Sequence, residues 1–274
     1  MSTLSQALAI SLLVLCAGSV RSANADETVP PELAGIEIEQ RLGAKLPLET
    51  SFVDHHGQAA RLAEFFKPNR PVILVLSYFR CPVLCSLVMN AAVDGLRTLE
   101  FMPGKQYEVV VLSIDPEEGP SQALGKRAAY LESLGRDLAS PQDSWPFLTG
   151  KAEDIKKIAS AVGFKYRWDQ KTSQWAHAAG IFVLTPDGRL SQTLYGALFP
   201  TRDLKLALLE ASQGAIGNPI ERVLLWCYHY DPQSRRYLIS PLGVMRIGGV
   251  LTILFLGVFL LSAWRRDRRA SVHA

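Results

Sequence analysis

The residues best suited to chemistry fall in one stretch, SYFRCPVLCSLVMN, from Ser77 to Asn90. Cys81 and Cys85 are separated by three residues, not by the two of a C-x-x-C redox pair, and two thiols fall short of the four ligands of a structural zinc site. Residues four apart on a helix lie one above the other, so a helix opening at this motif would present two sulfurs side by side. The partial positive charge at its N-terminus favours thiolate, and Pro82 suits a first turn, where its missing N–H costs nothing. Two adjacent thiolates suit a soft ion, Cu(I) above all. A small-coordination copper site needs a third donor, and His177, in SQWAHAAGIFVL, stands just ahead of an apolar strand. The same histidine also fits a partly buried loop residue bonded to backbone. For the cysteines, a structural disulfide, two inert thiols and a thiol–disulfide exchange centre stay open. Against exchange stand the spacing and the lack of a proline before GIFVL.

The elements that must position these residues follow from apolar patterning. PVILVLSY (Pro71 to Tyr78) is a continuous apolar run of strand length, as buried central strands are, and YEVVVLSID (Tyr107 to Asp115) reads as another buried strand. VLCSLVMNAAVDGLRTLEF reads as a helix after the motif, Ser121 to Leu134 as a second, AEDIKKIASAVGF as a third and TRDLKLALLEAS as a fourth, with Thr201 its N-cap candidate. WPFLTG is a short strand. SFVDHHGQAARL is a hairpin turning at Gly57, and AGIFVLTPDGRLSQTLYG one turning at Pro186-Asp187-Gly188. PELAGIEIEQRLG is expected to hold a short helix. Early alternation and a late hairpin predict a mixed sheet with helices on both faces, a thioredoxin-like α/β plan with the cysteines at the C-terminal end of a central strand, where ligands of open α/β sheets gather.

Two apolar runs at the ends of the 274 residues account for a mean hydropathy of +0.11. ALAISLLVLCAGSV, followed by Ala23-Asn24-Ala25, reads as a signal peptide of residues 1–25, although no Lys or Arg precedes the run. Leu15 is too large for the position before a lipidated Cys16. Ile247 to Trp264 carries no charge and reaches the lower limit for a transmembrane helix, expected over 244–264. RRDRR (Arg265 to Arg269) follows, which by the positive-inside rule makes 265–274 a cytoplasmic tail. The expected organisation is therefore a leader (26–44), a domain (45–212) in the periplasm, a juxtamembrane connector (213–243) and one C-terminal span in a bacterial inner membrane. The net charge of +3 rests on that tail, and no basic stripe with interleaved aromatics points to nucleic acid. Beyond the signal only Cys81, Cys85 and Cys227 remain, too few for a disulfide framework. In WCYHYDP (Trp226 to Pro232), Cys227 and His229 read either as an auxiliary copper contact or, among alternating aromatics, as interfacial packing. His55 and His56 in the hairpin turn read as solvated; Trp145, Trp168 and Trp175 read as core or rim.

SYFRCPVLC, VLSIDPEE, AHAAGIFVLTPDGRL and TLYG occur in the order and spacing of the Sco, or SenC-like, copper chaperones, and the chain resembles that family over about residues 45–212. The resemblance implies a thioredoxin-like fold binding copper, as Cu(I) or Cu(II), through Cys81, Cys85 and His177, with Asp115 supporting the site. It implies delivery of copper to the binuclear copper site of cytochrome c oxidase subunit II, with that subunit or a related oxidase assembly factor as the partner. The alternative is a thiol–disulfide reductase keeping that site's cysteines reduced, an enzymatic role that uses Cys81 and Cys85 but not His177. A copper or redox sensor would need a signalling partner for a very short tail. This sequence departs from the family in having Val83 after the motif proline and Ala176 before the histidine, where acidic residues are common, and in the placement of its anchor.

Overall fold

A computed structural model describes residues 36–81, 84–135, 144–213, 228–231 and 236–272. Two short strands, β1 (Ser51–Val53) and β2 (Ala59–Arg61), form the first hairpin, followed by a 3-10 turn at Leu62–Phe65. Strand β3 (Val72–Ser77) leads toward the cysteines and helix α1 (Leu84–Arg97), then come β4 (Glu108–Ser113), α2 (Pro120–Leu134), β5 (Phe147–Leu148) and α3 (Ala152–Ala161). The chain continues through β6 (Tyr166–Asp169), β7 (Gln174–His177), β8 (Gly180–Leu184), β9 (Leu190–Tyr195) and α4 (Thr201–Ala211). Beyond it lie β10 (Tyr228–Asp231), β11 (Arg236–Ile239) and α5 (Pro241–Val272).

The central sheet has the order β5-β4-β3-β8-β9. β3 runs parallel to β4, and β4 to β5; β8 is antiparallel to both β3 and β9. This is the mixed, thioredoxin-like sheet expected from the alternation of elements. All six residues of β3 and of β4 are buried, because both faces are covered. Ile73, Val75, Val109 and Val111 face α1, α2 and α4 through Met89, Val93, Leu96, Tyr130, Leu204 and Leu208. Leu74, Leu76, Val110 and Leu112 face the opposite way, toward Ile155 and Ile158 of α3 and toward Leu46, Phe52 and Leu62. Because β8 enters the sheet antiparallel to β3, the start of β8 and the ends of β3 and β4 lie at one edge.

Several local expectations are corrected. The helix expected at PELAGIEIEQRLG is absent from its described part: Ile38 bridges Phe164, and the Glu39 N–H donates to the Gly163 carbonyl at 2.8 Å. The alternation of IEIE explains this, since Ile36 is buried while Glu37 and Glu39 are exposed, the period of an extended segment. Helix α1 ends at Arg97 and not at Phe101. Thr201 is the first helical residue of α4, and Pro200 occupies the N-cap without a side-chain bond. Thr201 instead shares a hydroxyl hydrogen bond with Thr98. The antiparallel pairs β6–β7 and β10–β11 were not foreseen.

His55 is the largest departure in the first hairpin. It is 5% exposed, beneath the hairpin, and its Nδ1 accepts a long bond of 3.5 Å from the Phe147 N–H, while Nε2 is buried without a partner. Burial, with the positive charge of Arg127 and that of His56, pushes its pKa down to about 4, and Asp54 opposes this only weakly. The unfolded chain then binds the additional proton between about pH 6.5 and 4, so stability rises with pH across that window and is complete above it. Falling from pH 7 to 4.5 should remove about 2 kcal/mol, after allowance for solvent screening. Thermal unfolding followed across that range should show the loss, and His55→Asn, which keeps an acceptor for Phe147, should flatten it.

The expected signal peptide and most of the leader, and Cys227, lie outside the described residues; so does the side chain of His229. The expected span of 244–264 falls within α5. Its uninterrupted described side chains run only from Gly248 to Ser262, and among the described residues no helix is long and apolar enough to cross a membrane.

Candidate metal centre

Three segments meet at the C-terminal edge of β3 and β4. The first leaves β3 at Ser77 and turns through Tyr78 to Arg80, the Cys81 N–H donating to the Tyr78 carbonyl at 3.3 Å. Cys81 is 6% exposed and packs with Tyr78, Leu76 and Phe164, on the α3 side of the sheet. It precedes α1, whereas Cys85 belongs to that helix's first turn. The two cysteines therefore do not share a described helical face, as their spacing suggested. The side chain of Cys85 lies outside the described ones.

The second segment is the β6–β7 hairpin, which forms its own two-stranded sheet and ends at His177. Its aromatic residues explain its persistence outside the main sheet. Tyr166 and Trp175 have ring centroids 5.4 Å apart, and Trp168 meets Trp175 edge-on at 5.3 Å. Such cross-strand aromatic pairs stabilise a hairpin by several tenths of a kcal/mol to about 1 kcal/mol each. Trp175 and His177 lie two apart on β7 and so project from one face. Trp145, by contrast, belongs to the core.

His177 is 5% exposed, between the rings of Phe164 (5.6 Å) and Tyr78 (6.1 Å). Its Nδ1 lies 2.8 Å from the Ala178 carbonyl, which can only accept, so Nδ1 carries the hydrogen and Nε2 carries the lone pair. Burial holds its pKa below the ordinary value, outweighing the Ala178 carbonyl and the nearby Cys81 side chain, both of which raise it. Neutral imidazole with a defined tautomer is the form that binds metal. His177 is thus a buried histidine with a backbone partner, and that partner leaves Nε2 as the atom a metal could take.

The third segment follows β4. Asp115 is buried, and its Oδ2 accepts from Arg80 Nη2 at 2.7 Å, while Oδ1 accepts from the Glu117 N–H. Asp115 is therefore tied to Arg80, the residue before Cys81. Two participants escaped the sequence reading: Arg80, and Glu118, whose carboxylate receives the backbone N–H groups of Phe79 and Arg80. The only signal was DPEE, where the second glutamate looks like any surface charge.

Among the described residues no group of three His, Cys, Asp or Glu side chains is arranged to hold a metal ion. The described pair is Cys81 and His177, which share Tyr78 and Phe164 as surroundings. A sulfur and an imidazole nitrogen in an apolar surround fit a soft ion, with room in the donor set for the second thiol.

A model of the SCO1/SenC family matches residues 39–205, more than half of the chain and inclusive of all three segments. The chain belongs to the SCO1/SenC family. Among solved structures, it is similar to a proposed electron transfer protein from Aquifex aeolicus VF5, with 23% identity and a TM-score of 0.54, covering 62% of this chain and 94% of that one. A proposed electron transport protein from the same organism matches at 23% identity and 0.51, covering 62% and 98%. ScoI of Arabidopsis thaliana, determined with copper bound, matches at 19% identity and 0.46, covering 63% and 99%. No sequence among curated proteins matches the chain. The first two likenesses establish a shared fold over the matched part of the chain.

Proposed function

We propose that this SCO1/SenC protein is a copper chaperone for cytochrome c oxidase assembly, delivering copper to the binuclear site of subunit II. Cys81 and Cys85 provide thiolates, Nε2 of His177 provides the third donor, and Asp115 supports the site through Arg80. The observation that carries this reading is that Cys81 and His177 are both buried around Tyr78 and Phe164, with Nδ1 of the imidazole committed to the Ala178 carbonyl. Loading Cu(I) on two thiols releases two protons to solvent. Passing it to thiolates of an acceptor is then ligand exchange, with no electron moved. Val83 and Ala176, in place of acidic residues, leave the site less anionic than is common in the family, so its affinity and its preference between Cu(I) and Cu(II) are to be measured on this chain.

The domain is read as periplasmic and tethered by α5. Leu251, Ile253, Leu254, Phe255, Val258 and Phe259 are all exposed on this helix, and a helix apolar all round finds its partner in lipid. The arginines at its C-terminal end, Arg265 to Arg269, favour a cytoplasmic end.

The test is a Cu(I) competition titration of the full chain in detergent against a chromophoric chelator. One copper per chain is expected, and Cys81→Ser should weaken binding by more than about 100-fold, beyond the 10–100-fold that outer partners of a ligand carry. A wild-type chain that ignores copper while Cys81 and Cys85 cycle between dithiol and disulfide would replace the chaperone with the reductase.

A further inference from the structure

The turn that carries Cys81 has little regular structure to hold it. Between the end of β3 and the start of α1, Phe79 and Arg80 donate their backbone N–H groups neither to a strand nor to a helix, but to a side chain. Oε2 of Glu118 accepts from the Phe79 N–H at 2.8 Å, and Oε1 accepts from the Arg80 N–H at 2.7 Å. A third bond comes from the Ser113 hydroxyl, which donates to Oε2 at 2.6 Å. The Glu118 side chain is 0% exposed, and its nearest counter-charge is Arg80, whose Nε lies 3.6 Å from Oε1. Arg80 also donates to Asp115, and its outer part reaches solvent. A buried carboxylate is thus spent on orienting two successive peptide planes immediately upstream of Cys81. Buried charge is costly unless bonded and paired, so the arrangement needs a return greater than surface solubility.

We propose that Glu118 is the positioning residue of the thiol site: its two oxygens fix the turn that aims the Cys81 sulfur at the place shared with His177. The inference rests on the reading of Cys81 as a working thiol. It concerns geometry and not charge, and the two make opposite demands. The Glu118 charge close to Cys81 opposes formation of a copper dithiolate, so on electrostatics alone Glu118→Gln would tighten Cu(I). An amide presents one oxygen and one NH2 group, and cannot accept both backbone N–H groups. The turn loosens, the sulfur wanders, and Cu(I) binds more weakly.

Three measurements on the full chain in detergent decide it. In the chelator competition, Glu118→Gln should weaken Cu(I) binding by about 10-fold, the size expected for an outer partner of a ligand; unchanged or tighter binding overturns the proposal. Glu118→Asp keeps the charge but is one methylene short, and should weaken binding in the same sense. Equilibration with a glutathione buffer, in which oxidised glutathione takes two electrons and two protons from Cys81 and Cys85 and becomes two glutathione thiols, reads the same geometry without copper. Both variants should shift the glutathione ratio at half-oxidation, and no shift overturns the proposal. This arm separates the two claims, since a wild type without copper affinity sinks the chaperone reading and leaves the thiol geometry still on trial. Should neither variant fold, amide exchange on the wild type replaces them. The Phe79 and Arg80 N–H groups should exchange as slowly as those of β3, and fast exchange at both overturns the inference.

Discussion

A His177→Ala chain should hold Cu(I) by thiolates alone and lose about 100-fold in affinity, with little change in fold. The size follows from removing a ligand outright, where losing an outer partner of a ligand costs 10–100-fold. The fold survives because His177 contributes a packed ring and one bond to Ala178, while the hairpin beneath it rests on Tyr166, Trp168 and Trp175. A chelator competition reads the affinity, and the Cys81–Cys85 couple measured in glutathione serves as the counterpart. Lost copper affinity with an unchanged couple supports the three-donor site. An affinity within threefold of wild type would remove His177 from the donor set, and would leave a dithiol centre whose natural reading is exchange chemistry.

Gly163→Ala should be the most damaging single methyl in the domain. Gly163 has φ +74°, a conformation that costs an L side chain about 1 kcal/mol, and its carbonyl accepts from the Glu39 N–H at 2.8 Å. An added Cβ would overlap the Glu39 carbonyl oxygen and crowd its carbon, both backbone atoms with no rotamer to retreat into. A total of about 3 kcal/mol is expected, and with about 2–4 °C per kcal/mol for a domain of this size the melting temperature should fall by roughly 6–12 °C. The same variant should weaken Cu(I), because the next residue, Phe164, packs against the His177 ring. A fall of less than 2 °C would mean that the Ile36–Gln40 segment is not seated as described.

What was legible in the sequence was what burial writes directly. β3 and β4 announced themselves through their apolar cores, VILVL and VVVL, because the sheet is covered on both faces, and α2, α3 and α4 did so through amphipathic spacing. Cys81 and His177 stood out because few other roles suit those residue types beside buried strands. What stayed hidden depends on partners distant in the chain. His55 looks solvated in DHHG, and only Phe147, 92 residues away, makes it a buried acceptor. The β6–β7 pair carries Arg167, Asp169 and Lys171 among its aromatics and shows no apolar run, although Tyr166, Trp168, Trp175 and His177 keep the period of two that would have found it. Glu118 is unreadable for a similar reason: nothing in DPEE says that its carboxylate will be sealed beneath Phe79 and Arg80. Thr201 misled because capping preference is a local rule, and Pro200, already extended, took the position first.

The site's two halves have different moorings. Cys81 is fastened to the central sheet through β3 and Glu118, whereas His177 hangs from a separate two-stranded arm. The base of that arm is clasped by the chain's own early segment, through Ile38 on Phe164 and Lys165 on Glu37 at 2.6 Å. A pull on Ile38 consequently arrives at Phe164, the ring that borders both the imidazole and the sulfur. Of the two, only the sulfur is braced from the far side, by the carboxylate of Glu118 on the turn before it.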